Sequence, residues 1–330
     1  MFKKFKKFKK FKVMKYIKIF FLLSVVAATL ASCNKDELDS QSIFDTTPVE
    51  RNEFDKWLLA NYTAPYNISF LYRYSDMETQ NAYNVIPADS AKSVAMSIML
   101  KHVWLDAYTE VNGGDSTFLK KYSPRVLQLI GSAEYNTSGS IVVGTAEGGV
   151  KIWIFRINDI DVNNPSVDVD SPLPNKNDSP MDLNYWVFHT MHHEFCHILT
   201  QKKNYSTEFR TISNSLYHNG DWVNVEDEDA LLEGFVSGYG SSEYNEDFAE
   251  VYATYVTHTK EAWDELLEMA IEKDDDGNVV STLGKEAIQQ KVDIIKEYML
   301  NSWNMDLDKI RDVVVRRSQE VPSLDLRTLK

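Results

Sequence analysis

The chain has 330 residues, 43% of them hydrophobic and 12% aromatic, enough apolar material for a packed core and not the composition of a disordered or fibrous polymer. Its 35 Lys and Arg face 49 Asp and Glu, a net charge of −14, which argues against a nucleic-acid partner because such binding rests on neutralising phosphates. Two cysteines cannot build a disulfide framework.

In chain order, Met1 to Lys18 alternates Phe and Lys without an acid, and an apolar run follows from Ile19 to Ala28. A basic start, a short apolar run and small residues ending in Ser32-Cys33 read as a secretory signal, with a basic amphipathic helix on a membrane surface as the alternative. Met14 is a second candidate start. Leu30-Ala31-Ser32-Cys33 resembles the lipobox of bacterial lipoproteins, in which cleavage precedes a lipidated Cys; the other reading is an ordinary signal with a chance cysteine. Asn34-Lys35-Asp36-Glu37 looks like an export tag of surface-displayed lipoproteins. Removal of residues 1–32, which hold nine Lys and no acid, leaves 26 basic against 49 acidic residues and Cys196 as the one cysteine besides the lipidated Cys33.

Residues 33–48 form a polar tether, and structure is expected from Val49 with a short helix to about Asn61. Ile68–Tyr74 reads as a strand. Ser90–Val111 reads as a helix with Val94, Ile98, Leu105 and Tyr108 on its inner face. Two strands are expected at 140–143 and 150–157, joined by a turn at 144–149, the second strand buried on both faces. The polar stretch 158–179 is a long loop that could cover a neighbouring cleft. Ser179-Pro180-Met181-Asp182 is expected to start a helix that runs to about Lys202. Helices are also expected over 246–258, 260–272, 283–302 and 306–320. Asp274-Asp275-Asp276-Gly277 hints at a calcium loop, but Leu283 stands where the closing Glu belongs, so a solvated turn is expected.

His193-Glu194-Phe195-Cys196-His197 places two imidazoles one turn apart on one helix face, where they can converge on a metal. Glu194 lies about 100° round from His193, within reach of a metal-bound water. Phe188, Met191, Phe195 and Leu199 form an apolar stripe that would hold the helix against a core. A catalytic zinc site needs a third protein ligand and an open position. Glu246 and Glu250, one turn apart downstream, supply carboxylates, which without the pentad would read as a solvated face.

Together these motifs resemble the gluzincin zinc peptidases. Specifically, the pentad, Tyr239 seven residues before Glu246, and Glu246-Asp247-Phe248-Ala249-Glu250 are similar to the catalytic domain of anthrax lethal factor and to zinc-binding metallopeptidases found as bacterial surface lipoproteins. The resemblance covers about residues 179–260. It implies Zn²⁺ held by His193, His197 and Glu246, Glu194 as general base, Tyr239 as the hydroxyl that meets the oxyanion, and Glu250 orienting His193. Cys196 stands where lethal factor has Gly and is read as a small buried filler, a ligand or redox thiol being the alternative. His189 is read as lining the cleft or supporting the ligands, since a fourth protein ligand would close the site. His192 is read as structural and His218 as a surface-loop residue.

The implied fold is α+β and zincin-like: a mixed β-sheet lobe over 49–178, a mainly helical lobe over 179–330, and the zinc cleft between them. The expected function is hydrolysis of peptide bonds in a peptide or protein substrate, with the chain lipid-anchored at Cys33 to the bacterial outer membrane and facing the cell exterior. The strand at 150–157 is expected to be an edge on which an extended substrate pairs. The alternatives are a catalytically silent surface lipoprotein that binds peptide or glycoprotein, and a zinc hydrolase acting on other amides. Oligomeric state is not legible.

Overall fold

Helix α1, Glu53–Leu58, opens the structured chain. It starts with a capping box in which Asn52 and Asp55 each accept a hydrogen bond from the other's backbone N–H, at 2.7 and 3.1 Å. The computed structural model describes residues 50–75, 85–135, 141–142, 144–147, 150–176 and 179–330. The expected signal peptide, the tether and Cys33 lie outside the described residues. Residues 51–330 belong to one unit.

A π-helical turn, Leu59–Thr63, and a last turn, Ala64–Tyr66, extend α1 beyond its expected end, and Asn67 stops it in the left-handed conformation (φ 62°). The next helix runs as α2, Ser90–Leu100, a π-helical turn Lys101–Leu105, and α3, Asp106–Val111. Half of the expected stripe is observed, Leu105 and Tyr108 being buried. Met96, Met99, Leu100, Trp104 and Tyr108 are buried, whereas Val94 and Ile98 are only partly covered. A short helix α4, Thr117–Tyr122, follows.

The main sheet has four short strands: β1 Ser69–Leu71, β2 Val126–Leu129, β5 Gly144–Glu147 and β6 Lys151–Ile154, in the order β1-β2-β6-β5. The first three in that order are parallel, and β5 pairs antiparallel to β6. Two expectations are corrected here. Residues 144–147 are a strand rather than a turn; two-residue strands β3 Glu134–Tyr135 and β4 Ile141–Val142 pair with each other instead. In addition, β6 is interior, so the edges of the sheet are β1 and β5 and not the 150–157 strand. The burial expected of β6 is observed. Ile152 and Ile154 enter the main core, while Trp153 and Phe155 form a small cluster with Ile130 on the other face.

The second half is helical: α5 Thr190–Lys202, α6 Asp227–Leu232, α7 Tyr244–Thr257, α8 Lys260–Met269, α9 Leu283–Trp303 and α10 Leu307–Glu320. The start of α5 differs from expectation. Ser179–Pro180 is a cis peptide, and the helical run begins at Leu183 with a π-helical turn, Asn184–His189. Its cap is Asp182, whose carboxylate accepts from the N–H groups of Asn184 and Tyr185 at 3.0 and 3.3 Å. The acidic stretch at 274–278 is the exposed turn of a hairpin between β7 Glu272–Lys273 and β8 Val279–Ser281. The first half also carries α1 to α4, so the fold is a mostly helical α+β arrangement with small sheets.

α7 is the axis of the core. Every residue from Asp247 to Thr257 is buried, as expected of a helix packed on all sides by α5, α9 and α10. One cluster unites both halves: Phe195 of α5 meets Trp104 and Tyr108 edge-on at 5.4 and 5.2 Å between ring centroids.

Candidate metal centre

α5 presents His193, Glu194 and His197 from a helix whose far side is fixed. Phe188, Met191, Phe195 and Leu199 are all buried, as the stripe predicts. α7 brings Glu246 from its first turn. Nε2 of His193 and Oε2 of Glu246 are 3.0 Å apart, Nε2 of His197 and the same oxygen 3.2 Å, and the two imidazole nitrogens 3.0 Å. The two imidazole nitrogens can share a hydrogen bond at that separation, and with the carboxylate oxygen they also form a triangle of donors that can close on a cation. Ligand distances of about 2.0–2.2 Å to zinc suit such a triangle, so the donor set fits the metal.

The electrostatics agree. Burial alone would lower the basicity of His193, but the hydrogen bond with Glu246 and the Glu250 carboxylate close to its other nitrogen raise it to about 10. Burial pushes Glu246 up, yet His193 and His197 outweigh this and hold its carboxyl well below the usual range. The pocket thus attracts positive charge.

Glu250, one turn after Glu246, stands behind His193. Its Oε1 lies 2.8 Å from Nδ1 of His193, off the line of a hydrogen bond, and 2.9 Å from Nε2 of His189. Its Oε2 accepts a 2.6 Å hydrogen bond from Ser237 Oγ, which in turn accepts from the Gly240 N–H. Ser237 went unread in the sequence, because a single serine in a loop carries no periodic signal. His189 thus bonds to Glu250 and lines the adjoining cavity.

Tyr239 sits on a short 3₁₀ turn, Tyr239–Ser241, its ring 5.9 Å from that of His193 and edge-on to Trp222 at 4.9 Å. Burial, then the charge and hydrogen bond of Glu246, push its hydroxyl far above the usual phenol range, so it stays a donor. His218 is half-exposed, bonds to Glu233 at 2.6 Å and donates its N–H to the Ser241 carbonyl, bracing that turn. His192 is structural. It meets the Tyr108 hydroxyl at 3.0 Å, and burial lowers its pKa to about 3. Two groups among the described residues could hold a metal, His193–His197–Glu246 and His189–His193–Glu250, and the buried Cys196 belongs to neither. Asp247, beside Glu246, forms a fully buried pair with Lys291 of α9 at 2.7 Å and accepts from Tyr217 at 2.8 Å.

Two hollows flank the centre, and Glu194 and Tyr239 border both. A 560 Å³ cavity is walled by His189, Trp222 and the loop residues 172–176, so the 158–179 loop forms a wall of the cleft. Asp168 and Asp182 tie that loop down by accepting backbone N–H groups, and Lys176 pairs with Asp227 at 2.5 Å. A 490 Å³ groove extends the other way over His197 and Glu246.

Residues 47–308 match the model of a family described as "putative zinc-binding metallo-peptidase". The crystal structure of a protein so described from Bacteroides caccae ATCC 43185, solved at 2.10 Å, is 36% identical, covers 88% of this chain and all of its own, and superposes with a TM-score of 0.66. No curated protein matches. The chain belongs to this family of zinc-binding metallo-peptidases, and its cofactor is Zn²⁺.

Proposed function

We propose that the chain hydrolyses peptide bonds, as a gluzincin-type peptidase with a zincin-like fold, and that Glu194 is its general base. The observation that carries this is the convergence of His193, His197 and Glu246 on one point beside the buried Glu194, where the two hollows meet. Zinc held by these residues supplies a polarising charge and lowers the pKa of its water from about 15.7 toward ~7. Glu194 takes the proton of the attacking water and passes it to the leaving amine. Tyr239, kept protonated by its surroundings, donates to the oxygen on which charge develops. Glu250, held by Ser237 and His189, fixes the His193 ring. Of the two edge strands, β1 and β5, it is β5 that packs against α5, and we assign the pairing of an extended peptide to it. The basic leader and Leu30-Ala31-Ser32-Cys33 support lipid attachment at Cys33, on the outer face of the bacterial outer membrane.

The test is metal content and turnover of the chain from residue 34 onward, beside Glu194→Ala. One zinc per chain in both is expected, with peptide turnover in the variant reduced by about 10²–10⁴-fold. Zinc in both with no turnover by the unaltered chain would remove the hydrolase; zinc in neither would remove the site.

A further inference from the structure

The groove over His197 and Glu246 holds one feature that zinc binding and proton transfer do not use. Apart from His197, which belongs to the metal triad, its cationic side chain is Arg210. The backbone there is anchored by its neighbour Phe209, fully buried against Phe248 of α7 at 5.0 Å between ring centroids. The exposed guanidinium lies over the Tyr244 ring, 4.2 Å from its centroid, and 5.5 Å from that of Tyr205. Tyr205 is itself pinned, its hydroxyl donating to Asn245 Oδ1 at 3.0 Å.

Stacking occupies the face of a guanidinium and leaves its in-plane N–H donors at the edge, the geometry that matches a carboxylate. Among the described residues no carboxylate lies within ion-pairing distance of Arg210. Glu243, which borders the same groove, accepts from Asn245 Nδ2 at 3.2 Å. In a chain where acids outnumber bases 49 to 35, Arg210, stacked on Tyr244 beside the Tyr205 hydroxyl and without a carboxylate partner among the described residues, borders the groove over His197 and Glu246, where a substrate's negative charge would meet it. We propose that Arg210 binds a carboxylate of the substrate, so that the groove selects peptides with an acidic residue or a free C-terminus close to the scissile bond. The proposal rests on the peptidase function inferred above.

The test uses zinc-loaded Glu194→Gln protein, so that binding is read without turnover. Fluorescent glycine-flanked octapeptides with a central Asp-Glu or Asn-Gln pair, each with a free or amidated C-terminus, are titrated by anisotropy. The carboxylate peptide is expected to bind about 10–100-fold more tightly than its neutral twin, the scale of a hydrogen-bonded charge. Adding Arg210→Gln should remove that difference and leave the neutral peptide unchanged. An Arg210-dependent loss on amidation identifies the C-terminus as the ligand; a loss on Asp-Glu to Asn-Gln exchange identifies a side chain. Equal binding of charged and neutral peptides, absence of binding by both, or a preference that survives Arg210→Gln overturns the proposal. Turnover of the same peptides by the zinc-loaded Glu194 chain is scored separately. Arg210-dependent binding without turnover would discard the peptidase and leave the carboxylate site standing.

Discussion

Glu250 touches no substrate in this scheme, yet it has three partners, and each can be tested. With Oε1 between His189 and His193 and Oε2 on Ser237, it governs the orientation of one zinc ligand. Glu250→Gln should lower zinc affinity by roughly 10–100-fold, as measured by competition with a chromophoric chelator, and Ser237→Ala should act in the same direction more weakly. Tyr239→Phe keeps the ring against His193 and Trp222 but loses the donor; kcat should fall by about 10²–10³ with KM little changed. Full turnover in that variant would rule out the oxyanion role. His193, Glu194 and His197 were legible because a helix fixes which side chains share a face, whatever surrounds it. Glu246 was legible through the same helix rule combined with the family resemblance. Ser237 and Arg210 were not, since loop and short-turn residues reach their partners only through the tertiary path of the chain.

Among the elements, α7 decides most. It carries Glu246, proposed to bind zinc, Glu250, proposed to support it, and between them Asp247, neutralised by Lys291 from α9 with both side chains fully buried. Lys291→Met would strand Asp247 and should cost about 3–5 kcal/mol in urea denaturation, while Asp247→Asn added to it should recover much of that loss. At the end of α7, His258 is buried with Nδ1 bonded to the Thr254 carbonyl at 2.9 Å, and burial lowers its pKa to about 4. Between pH about 6.5 and about 4 the unfolded chain binds a proton that the folded chain refuses, so stability falls as pH falls through this window, by up to about 3 kcal/mol. The urea midpoint of the native chain should therefore drop more between pH 7.5 and 5 than that of His258→Asn; an equal drop would place the acid sensitivity elsewhere. Four helices of the second half, α7 to α10, were read close to their true bounds from their 3.6-residue patterns, whereas the short α6 was not read. β5 was missed because Gly144-Thr145-Ala146-Glu147 has the composition of a turn and is a strand only by pairing with β6.

Across the whole molecule, the centre joins α5 to α7 and so couples metal occupancy to global stability. Zinc at a thousandfold over its dissociation constant should add about 4 kcal/mol, and chelation should lower the melting temperature by roughly 10 °C, read by calorimetry with and without chelator. An unchanged melting curve would place zinc outside the α5–α7 junction. One core unites both halves; in the first, helices were expected to about Asn61 and over 90–111, but the run from Glu53 extends to Tyr66, Thr117–Tyr122 was not read, and π-helical turns at Leu59–Thr63 and Lys101–Leu105 interrupt the regular period. The third such turn, Asn184–His189, has a further consequence. A π turn is one residue longer than the α turn it replaces, so deleting one residue there would let the ladder close as an ordinary helix. The segment before the deletion would then turn by about 100° relative to the segment after it. Tyr185 and Trp186, which line the larger cavity, would move, while His193, Glu194 and His197 would keep their spacing. Insertions and deletions at this point could thus reshape what the cavity admits while sparing the chemistry, letting substrate preference drift among relatives with the zinc helix unaltered.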